Sequence, residues 1–451
     1  MGDLIPGLPA EVARECLLRV GFRQLPAARR TSRQWKAEVE SPLYGRLRLA
    51  NSHTRPILAL AQALPPLAAS GPAQKYAASA ALSNCYRLVL HDPVDGGWAT
   101  LPPLPGGRGL PLFCQLAAVS CSERRKLVVL GGWDPETWVP TDTVHVYDFL
   151  DGAWRSGAPM PGPRRSFFAC AAAGGRVFVA GGHDEEKNAL RSAAAYDAEA
   201  NAWAALPDMA LERDEARGVC LGARFVVVGG YPTEAQGRFT GTGEAFDTDV
   251  WAWGLVLDRV VNEGACPRTC CAAPSAAGAM YMLRHGHLAV RDGDSEWRAV
   301  APVPEDGRAA MVVVAIGDGR VAAIGAGHHG GEQAVYVLSK DTGTNGASPS
   351  WARALAPQEF AGHVQAACCV EKKRFVPGGH LPRHPSAVLR LADAETAIEA
   401  EAFDTAVGGG GAPASVDFVK SCSAAVNVEP SEAPPAVKAD PDFKPQKKED
   451  G

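Results

Sequence analysis

A three-part signature returns through the middle of the chain with a period near 50 residues. Gly-Gly doublets close apolar runs at Gly131-Gly132, Gly181-Gly182 and Gly229-Gly230, with spacings of 50 and 48. An aromatic-Asp pair follows each doublet 15 to 17 residues later, at Tyr147-Asp148, Tyr196-Asp197 and Phe246-Asp247. A tryptophan comes about seven residues after that, at Trp154, Trp203 and Trp253. Three features holding one phase exclude an ordinary single-core fold and predict a repeat array. The runs before the doublets, such as Leu127-Val128-Val129-Leu130 and Phe225-Val226-Val227-Val228, are short, β-branched and bounded by Gly and Asp. They read as strands.

The residue types also give the packing. A Gly doublet lets the backbone leave a strand where a Cβ would strike a neighbouring sheet. Tyr and Trp are large enough to fill the wedge between radially arranged sheets. Four-stranded antiparallel sheets set round an axis leave no long exposed edge. The Gly-Gly, Tyr and Trp set resembles the kelch repeat. A degenerate fourth copy ends at Trp297, with Tyr281-Met282-Leu283 in place of the doublet. A fifth runs from Gly325-Ala326-Gly327 through Tyr336 to Trp351, and a sixth begins at His363 and reaches Gly378-Gly379. The later half of that sixth copy is expected from the N-terminal side, where Tyr86-Arg87-Leu88-Val89-Leu90 leads to Trp98. The expected fold class is mostly β: a six-bladed kelch β-propeller over residues 81–400, five full repeats plus one split blade, preceded by a small all-α domain.

That small domain covers residues 1–50, where Lys and Arg outnumber Asp and Glu by nine to five and no Gly doublet occurs. Val12, Cys16, Leu17 and Val20 fall on one helical face, Leu25-Pro26 restarts the chain, and Ser32-Arg33-Gln34-Trp35 opens a third helical stretch. Three short helices bury little by themselves, so an apolar surface is expected to remain for a partner. Leu8-Pro9-Ala10-Glu11, Cys16-Leu17-Leu18, Leu25-Pro26 and Ser32-Arg33-Gln34-Trp35 resemble the F-box, which docks on the Skp adaptor of cullin-RING (SCF) ubiquitin ligases. The resemblance implies adaptor binding by Leu8, Pro9, Glu11, Cys16, Leu17, Leu25, Pro26 and Trp35. The segments Pro6-Gly7-Leu8-Pro9, Trp35 to Pro42 and Gly181 to Leu190 further resemble the plant F-box/kelch subfamily that targets phenylalanine ammonia-lyase and, in some members, type-B cytokinin response regulators. Residues 51–80 are expected to be a linker. The segment 401–451 is expected to be a disordered tail, Gly- and Pro-rich from Gly408 onward and there without aromatic anchors except Phe418 and Phe443.

Composition excludes several other classes. A net charge of -5 argues against bulk affinity for nucleic acid. The apolar stretch from Ile57 to Ala69 is short and broken by Pro65-Pro66, so it does not read as a membrane span. The first residues lack the pattern of a secretion signal, Asn-x-Ser/Thr is absent, and the twelve cysteines show no CxxC pair. The expected location is cytoplasm or nucleus. No nucleophile elbow, phosphate loop or HExxH helix occurs, and His285-Gly286-His287 and His328-His329 have no recognisable third ligand. No catalytic residue, metal or cofactor is expected. Adjacent strand cysteines Cys270-Cys271 and Cys368-Cys369 should point to opposite faces.

An antiparallel meander places the residues after the doublets and those entering each first strand at the same mouth of the ring. Candidate substrate-binding residues are therefore Trp133, His183, Tyr231 and His380 after the doublets, with Arg165, Arg213, Arg268 and Arg308 before the first strands; Gln115 and His363 share that phase. Aromatic and Arg anchors suit a protein interface, and an arginine-lined mouth would favour an acidic target. The same phase equally suits arginines that brace neighbouring blades through buried hydrogen bonds, so both readings stand. The expected function is a ubiquitin-ligase substrate receptor acting by proximity, with a kelch scaffold for actin or another partner as the alternative.

Overall fold

The computed structural model describes residues 3–51, 53–64, 86–107, 109–121, 124–272, 278–293, 295–317, 320–328, 331–339 and 349–371. Six four-stranded sheets, each with antiparallel neighbours, stand round one axis. Their first strands are Gln115–Cys121 (blade 1), Ala169–Ala173 (blade 2), Arg217–Leu221 (blade 3), Cys271–Ala272 (blade 4), Ala309–Gly317 (blade 5) and Val364–Glu371 (blade 6). Each touches the next in that order, and the last touches the first, so the ring is closed. A six-bladed propeller is the expected architecture.

The signature residues hold neighbouring blades together. Gly181 and Gly182 take φ of +67° and +79°, and a Cβ on them would lie 2.3 Å from the Arg213 and Ser166 carbonyl oxygens. No side chain fits there. Tyr147 packs on Trp154, Tyr196 on Trp203 and Phe246 on Trp253, with ring centroids 5.1–5.3 Å apart. Each tryptophan also crosses a seam. Trp154, Trp203, Trp253, Trp297 and Trp351 donate their indole N–H to Pro102, Ala158, Pro207, Val260 and Pro302 carbonyls, all at or beyond the last strand of the preceding blade, at 2.7–2.9 Å. In these five blades the half-buried tryptophan thus links neighbouring blades by a hydrogen bond as well as filling volume. The adjacent cysteines do face opposite ways: Cys270 packs with Val219 and Met280, and Cys271 with Tyr281 and Leu288.

Blade 6 closes differently from the expectation. Val364–Glu371 pairs directly with Ile57–Ala63, which pairs with Tyr86–His91 and then Trp98–Thr100. The N-terminal side thus supplies three strands and the C-terminal side one. Ile57–Ala63, expected within a linker, is an interior strand buried along its whole length. An apolar run of this length is what a strand covered on both faces requires, and its one long polar residue, Gln62, donates its amide to the Phe360 and Gly362 carbonyls at 2.6 and 3.1 Å. Gly378-Gly379, expected at the end of this blade's second strand, lies outside the described residues.

The N-terminal domain has four helices rather than three: α1 (Ala10–Leu18), α2 (Leu25–Thr31), α3 (Arg33–Val39) and α4 (Pro42–Ala50). Ser41 accepts from the Tyr44 N–H and Pro42 occupies the first helical turn, so the added helix has an ordinary start. The buried face of α1 is Ala13, Leu17 and Leu18, while Val12, expected on that face, is exposed. The domain is seated on the propeller. Leu17, Phe22, Leu25 and Tyr44 share one core with Leu88, Tyr147, Phe149 and Leu150. Phe22 meets Phe149 at 4.9 Å, and Arg29 pairs with Asp151 at 3.3 Å. Asp151 and Phe149 lie in the turn between the third and fourth strands of blade 1, so the helices cover the face opposite the post-doublet loops.

Two outcomes test this scheme. Gly182→Ala should cost about 2–4 kcal/mol in urea unfolding, from strain and the blocked approach, whereas Gly174→Ala, with open space around it, should cost only about 1 kcal/mol. In the closing blade, His91 stacks on Trp98 at 4.0 Å, and burial lowers its imidazole to about 4. The fold therefore holds it neutral: its contribution is complete above the unfolded value near 6.5 and is lost as pH falls towards 4, by up to about 3 kcal/mol. Unfolding midpoints from pH 7 to pH 4 should show this slope, and His91→Asn should flatten it.

Candidate functional site

Among the described residues, the long loops after the doublets rise on one face of the ring in blades 1 to 3. In blades 1 to 3 about a dozen residues join the second and third strands, whereas in blade 4 His285 and Gly286 alone join Ala279–Arg284 to His287–Asp292. The three long loops are tied to the segments entering their own first strands by single bridges, Leu112 to Trp133, Ser166 to His183 and Asp214 to Tyr231. Trp133, His183 and Tyr231 therefore share one mouth with the strand entrances, as the alternation of the meander requires.

The next residue along each entrance takes a left-handed backbone: Phe113 at φ 59°, Phe167 at 51° and Glu215 at 50°. Bulky side chains rarely adopt this conformation, and it turns them out of the wall into the mouth. Phe113 and Phe167 lie 5.2 Å apart; Trp133 meets them edge-on at 5.6 and 6.1 Å, and Trp138 meets Trp133 at 6.4 Å. Phe167 continues to His183 at 5.6 Å, and His183 Nδ1 lies 2.9 Å from the Asp214 carboxylate. Beyond it the Tyr231 hydroxyl donates to Glu215 at 3.0 Å. Burial first, then the Asp214 and Glu215 charges, push the Tyr231 hydroxyl far above its ordinary value, so it stays a donor. Gln365 of the closing strand holds the front of this row, accepting the Phe113 N–H at 2.7 Å and donating to Pro111 O at 3.0 Å.

The arginines divide into two pairs. Arg165 donates to the Gly181 and Ser192 carbonyls at 3.1 and 2.9 Å. Arg213 donates to Gly229 O at 2.7 Å and to Thr242 Oγ1 and the Glu244 carboxylate at 3.1 Å. Both are buried, and Arg165 is pulled down to about 10 by the loss of water. They brace the doublets within their own blades and offer no guanidinium to a partner, which corrects the expectation of a fully arginine-lined mouth. Arg268 and Arg308 are exposed on blades 4 and 5, Arg308 near Glu305 at 3.7 Å. His380 lies outside the described residues. Gln115 sits inside its strand, because the first two strands of blade 1 are seven residues long against five in blades 2 and 3 and shift the phase by four.

That shift also hid Phe113. Phe167 and Glu215 both stand fourteen residues before their doublets and Phe113 eighteen, so counting from the doublet with the longer hairpin allowed for would have aligned all three. Among the described residues no group of three or more His, Cys, Asp and Glu is gathered to hold a metal, and no helix is long and apolar enough to cross a membrane.

In the helical domain, Pro9, Glu11 and Val12 are exposed, Leu8, Cys16, Pro26 and Trp35 are half-buried, and Leu17 and Leu25 are buried. Trp35 donates its indole N–H to Leu4 O at 2.7 Å and so pins the N-terminal segment. Leu17 and Leu25 belong to the core shared with the propeller, which removes them from the adaptor-binding set.

Comparison with known proteins agrees with this division. The F-box domain family matches residues 5–46, and the kelch motif family matches residues 118–161 and 164–210. F-box/kelch-repeat protein At1g80440 of Arabidopsis thaliana is 40% identical over 378 residues, covering 82% of this chain and 99% of its own. F-box/kelch-repeat protein At1g15670 of the same plant is 36% identical over 374 residues, covering 82% and 99%. F-box/kelch-repeat protein SKIP20, also from Arabidopsis thaliana, is 31% identical over 409 residues, covering 80% and 94%. The chain belongs to the plant F-box/kelch-repeat family. Proteins of this family are generally adaptors rather than enzymes, their F-box binding the Skp adaptor of SCF complexes and their propeller binding substrates.

The two classes of arginine should separate in unfolding experiments. Arg213→Met leaves the fully buried Glu244 carboxylate without its counter-charge and should cost about 3–5 kcal/mol. Arg268→Ala and Arg308→Ala should stay within about 0.5 kcal/mol of the parent.

Proposed function

We propose that this protein is the substrate receptor of an SCF-type cullin-RING ubiquitin ligase. Its helical domain grips the Skp adaptor, and the mouth of the propeller holds the protein to be modified. The observation that carries this reading is the shared core between the F-box helices and the blade turns, with the aromatic row on the opposite face. One surface is left for the adaptor and another for the substrate, in a fixed relation. The chain performs no chemistry: it raises the effective concentration of substrate lysines near the ubiquitin-charged enzyme. A site of action in the cytoplasm or nucleus accords with that role.

Resemblance to the plant subfamily described above supports phenylalanine ammonia-lyase as the substrate, and through it regulation of phenylpropanoid metabolism; type-B cytokinin response regulators are the other target that the resemblance implies. Lysine-linked ubiquitin on phenylalanine ammonia-lyase, appearing with the full chain present and vanishing without it, is the result expected.

Adaptor binding is tested on the exposed residues of the helical domain. Glu11→Ala combined with Val12→Asp should lower capture of purified Skp adaptor at least tenfold while leaving the unfolding midpoint unchanged. Leu17→Ala should lose about 2–5 kcal/mol of stability as a core truncation. Undiminished capture by the stable double variant would remove the adaptor reading.

A further inference from the structure

The aromatic row and the charges around it define what the mouth accepts. Phe113 and Trp138 are each 38% exposed and, together with half-buried Phe167 and Trp133, present ring faces and edges to solvent. Three of the four rings, Phe113, Phe167 and Trp138, stand on left-handed backbone, with Trp138 at φ 59°.

The charge beside these rings is the reverse of an arginine-lined mouth. The loops 133–143, 183–192 and 231–242 and the strand entrances 111–114, 162–168 and 207–216 carry eleven Asp and Glu against six Lys and Arg. Two of those six are Arg165 and Arg213, buried and committed to backbone carbonyls. The other four are exposed: Arg164 faces Glu185 at 4.0 Å and Arg191 faces Asp208 at 3.9 Å, while Lys187 and Arg238 complete the set, so carboxylates still outnumber exposed cations in these segments. Glu215 stands exposed at the end of the aromatic row, one oxygen occupied by the Tyr231 hydroxyl.

We propose that this arc of the mouth, from Phe113 through Phe167 to Glu215, binds a basic segment of the substrate, with Arg or Lys side chains laid over the rings and their charge meeting the carboxylates. The proposal rests on the mouth being the substrate-binding face and names the class of segment that it takes. A cation over a ring face gains from the ring's quadrupole, most strongly for Trp, and Arg stacks on such faces while keeping its donors free for carboxylates. An acidic segment would meet an excess of like charge and leave the rings without a complementary partner. Arg268 and Arg308 lie on blades 4 and 5, outside this arc.

The test uses the full chain and a fluorescein-labelled peptide of four Gly-Arg repeats, with a four-repeat Gly-Glu peptide as its counterpart, in fluorescence anisotropy at fixed ionic strength. The Gly-Arg peptide should bind at least tenfold tighter than the Gly-Glu peptide. Phe167→Ala should weaken it roughly fivefold and Glu215→Gln roughly threefold, while Glu296→Gln, an exposed carboxylate in blade 4, should leave it unchanged. Glu215→Gln keeps the size of the side chain and serves where Phe167→Ala disturbs folding. Equal or tighter binding of the Gly-Glu peptide, no binding of the Gly-Arg peptide, or an equal loss on Glu296→Gln would overturn the proposal. Skp adaptor capture, measured on the same samples, reads the receptor role separately: its retention alongside a failed peptide result removes the basic-segment proposal alone.

Discussion

The pairing of Val364–Glu371 with Ile57–Ala63 is the constraint on which the rest of the molecule depends. It joins strands separated by some three hundred residues and turns an open row of sheets into a ring. Closure removes two exposed sheet edges, each of which would otherwise template association with another chain. The loop entropy of such a distant contact grows only slowly with separation, so a largely buried, hydrogen-bonded strand pair suffices to offset it. The glutamines finish the joint: Gln62 satisfies the turn at Phe360 and Gly362, and Gln365 reaches from the closing strand to Pro111 and Phe113. The same closing strand therefore shapes the front of the aromatic row.

Rigid attachment of the helical domain follows from the same region of the ring. Phe22 and Leu25 enter a core completed by Leu88 of blade 6 and Phe149 and Leu150 of blade 1, and Arg29 and Arg30 reach Asp151 at its rim. Four helices with little core of their own gain the missing burial from the propeller. A domain that is seated by apolar contact, with ion pairs only at the edge, keeps a fixed orientation at physiological salt, since exposed pairs by themselves contribute little. The consequence for a receptor is geometric: the distance from adaptor face to substrate mouth is set by the fold.

The repeat phase made the blades, their number and the shared mouth legible, because Gly, Tyr and Trp serve the same steric role in each copy. The same regularity misled where residue type had two physical uses. Arg165 and Arg213 occur in phase because each satisfies the carbonyl of its own Gly doublet, so periodicity marked architecture at those positions. Phe113 and Phe167, which face the mouth, carry no distinctive local pattern, and the four-residue shift of blade 1 broke their alignment. Ile57–Ala63 was hidden in a different way: an apolar septet is compatible with several structures, and its partner strand lies at the far end of the chain.

What the sequence by itself determined is the set of interactions that act within one repeat or one helix: strands bounded by glycine, tryptophans able to cross a seam, and the F-box pattern at the front. Those depend on steric fit and hydrogen bonding over a few residues, and residue type is enough to specify them. Tertiary structure alone decided which arginines are spent on backbone carbonyls, which face of the ring the helices cover and which half of the mouth is aromatic and acidic. Each of those outcomes depends on desolvation and on neighbours brought together from distant segments, and neither is encoded in local spacing.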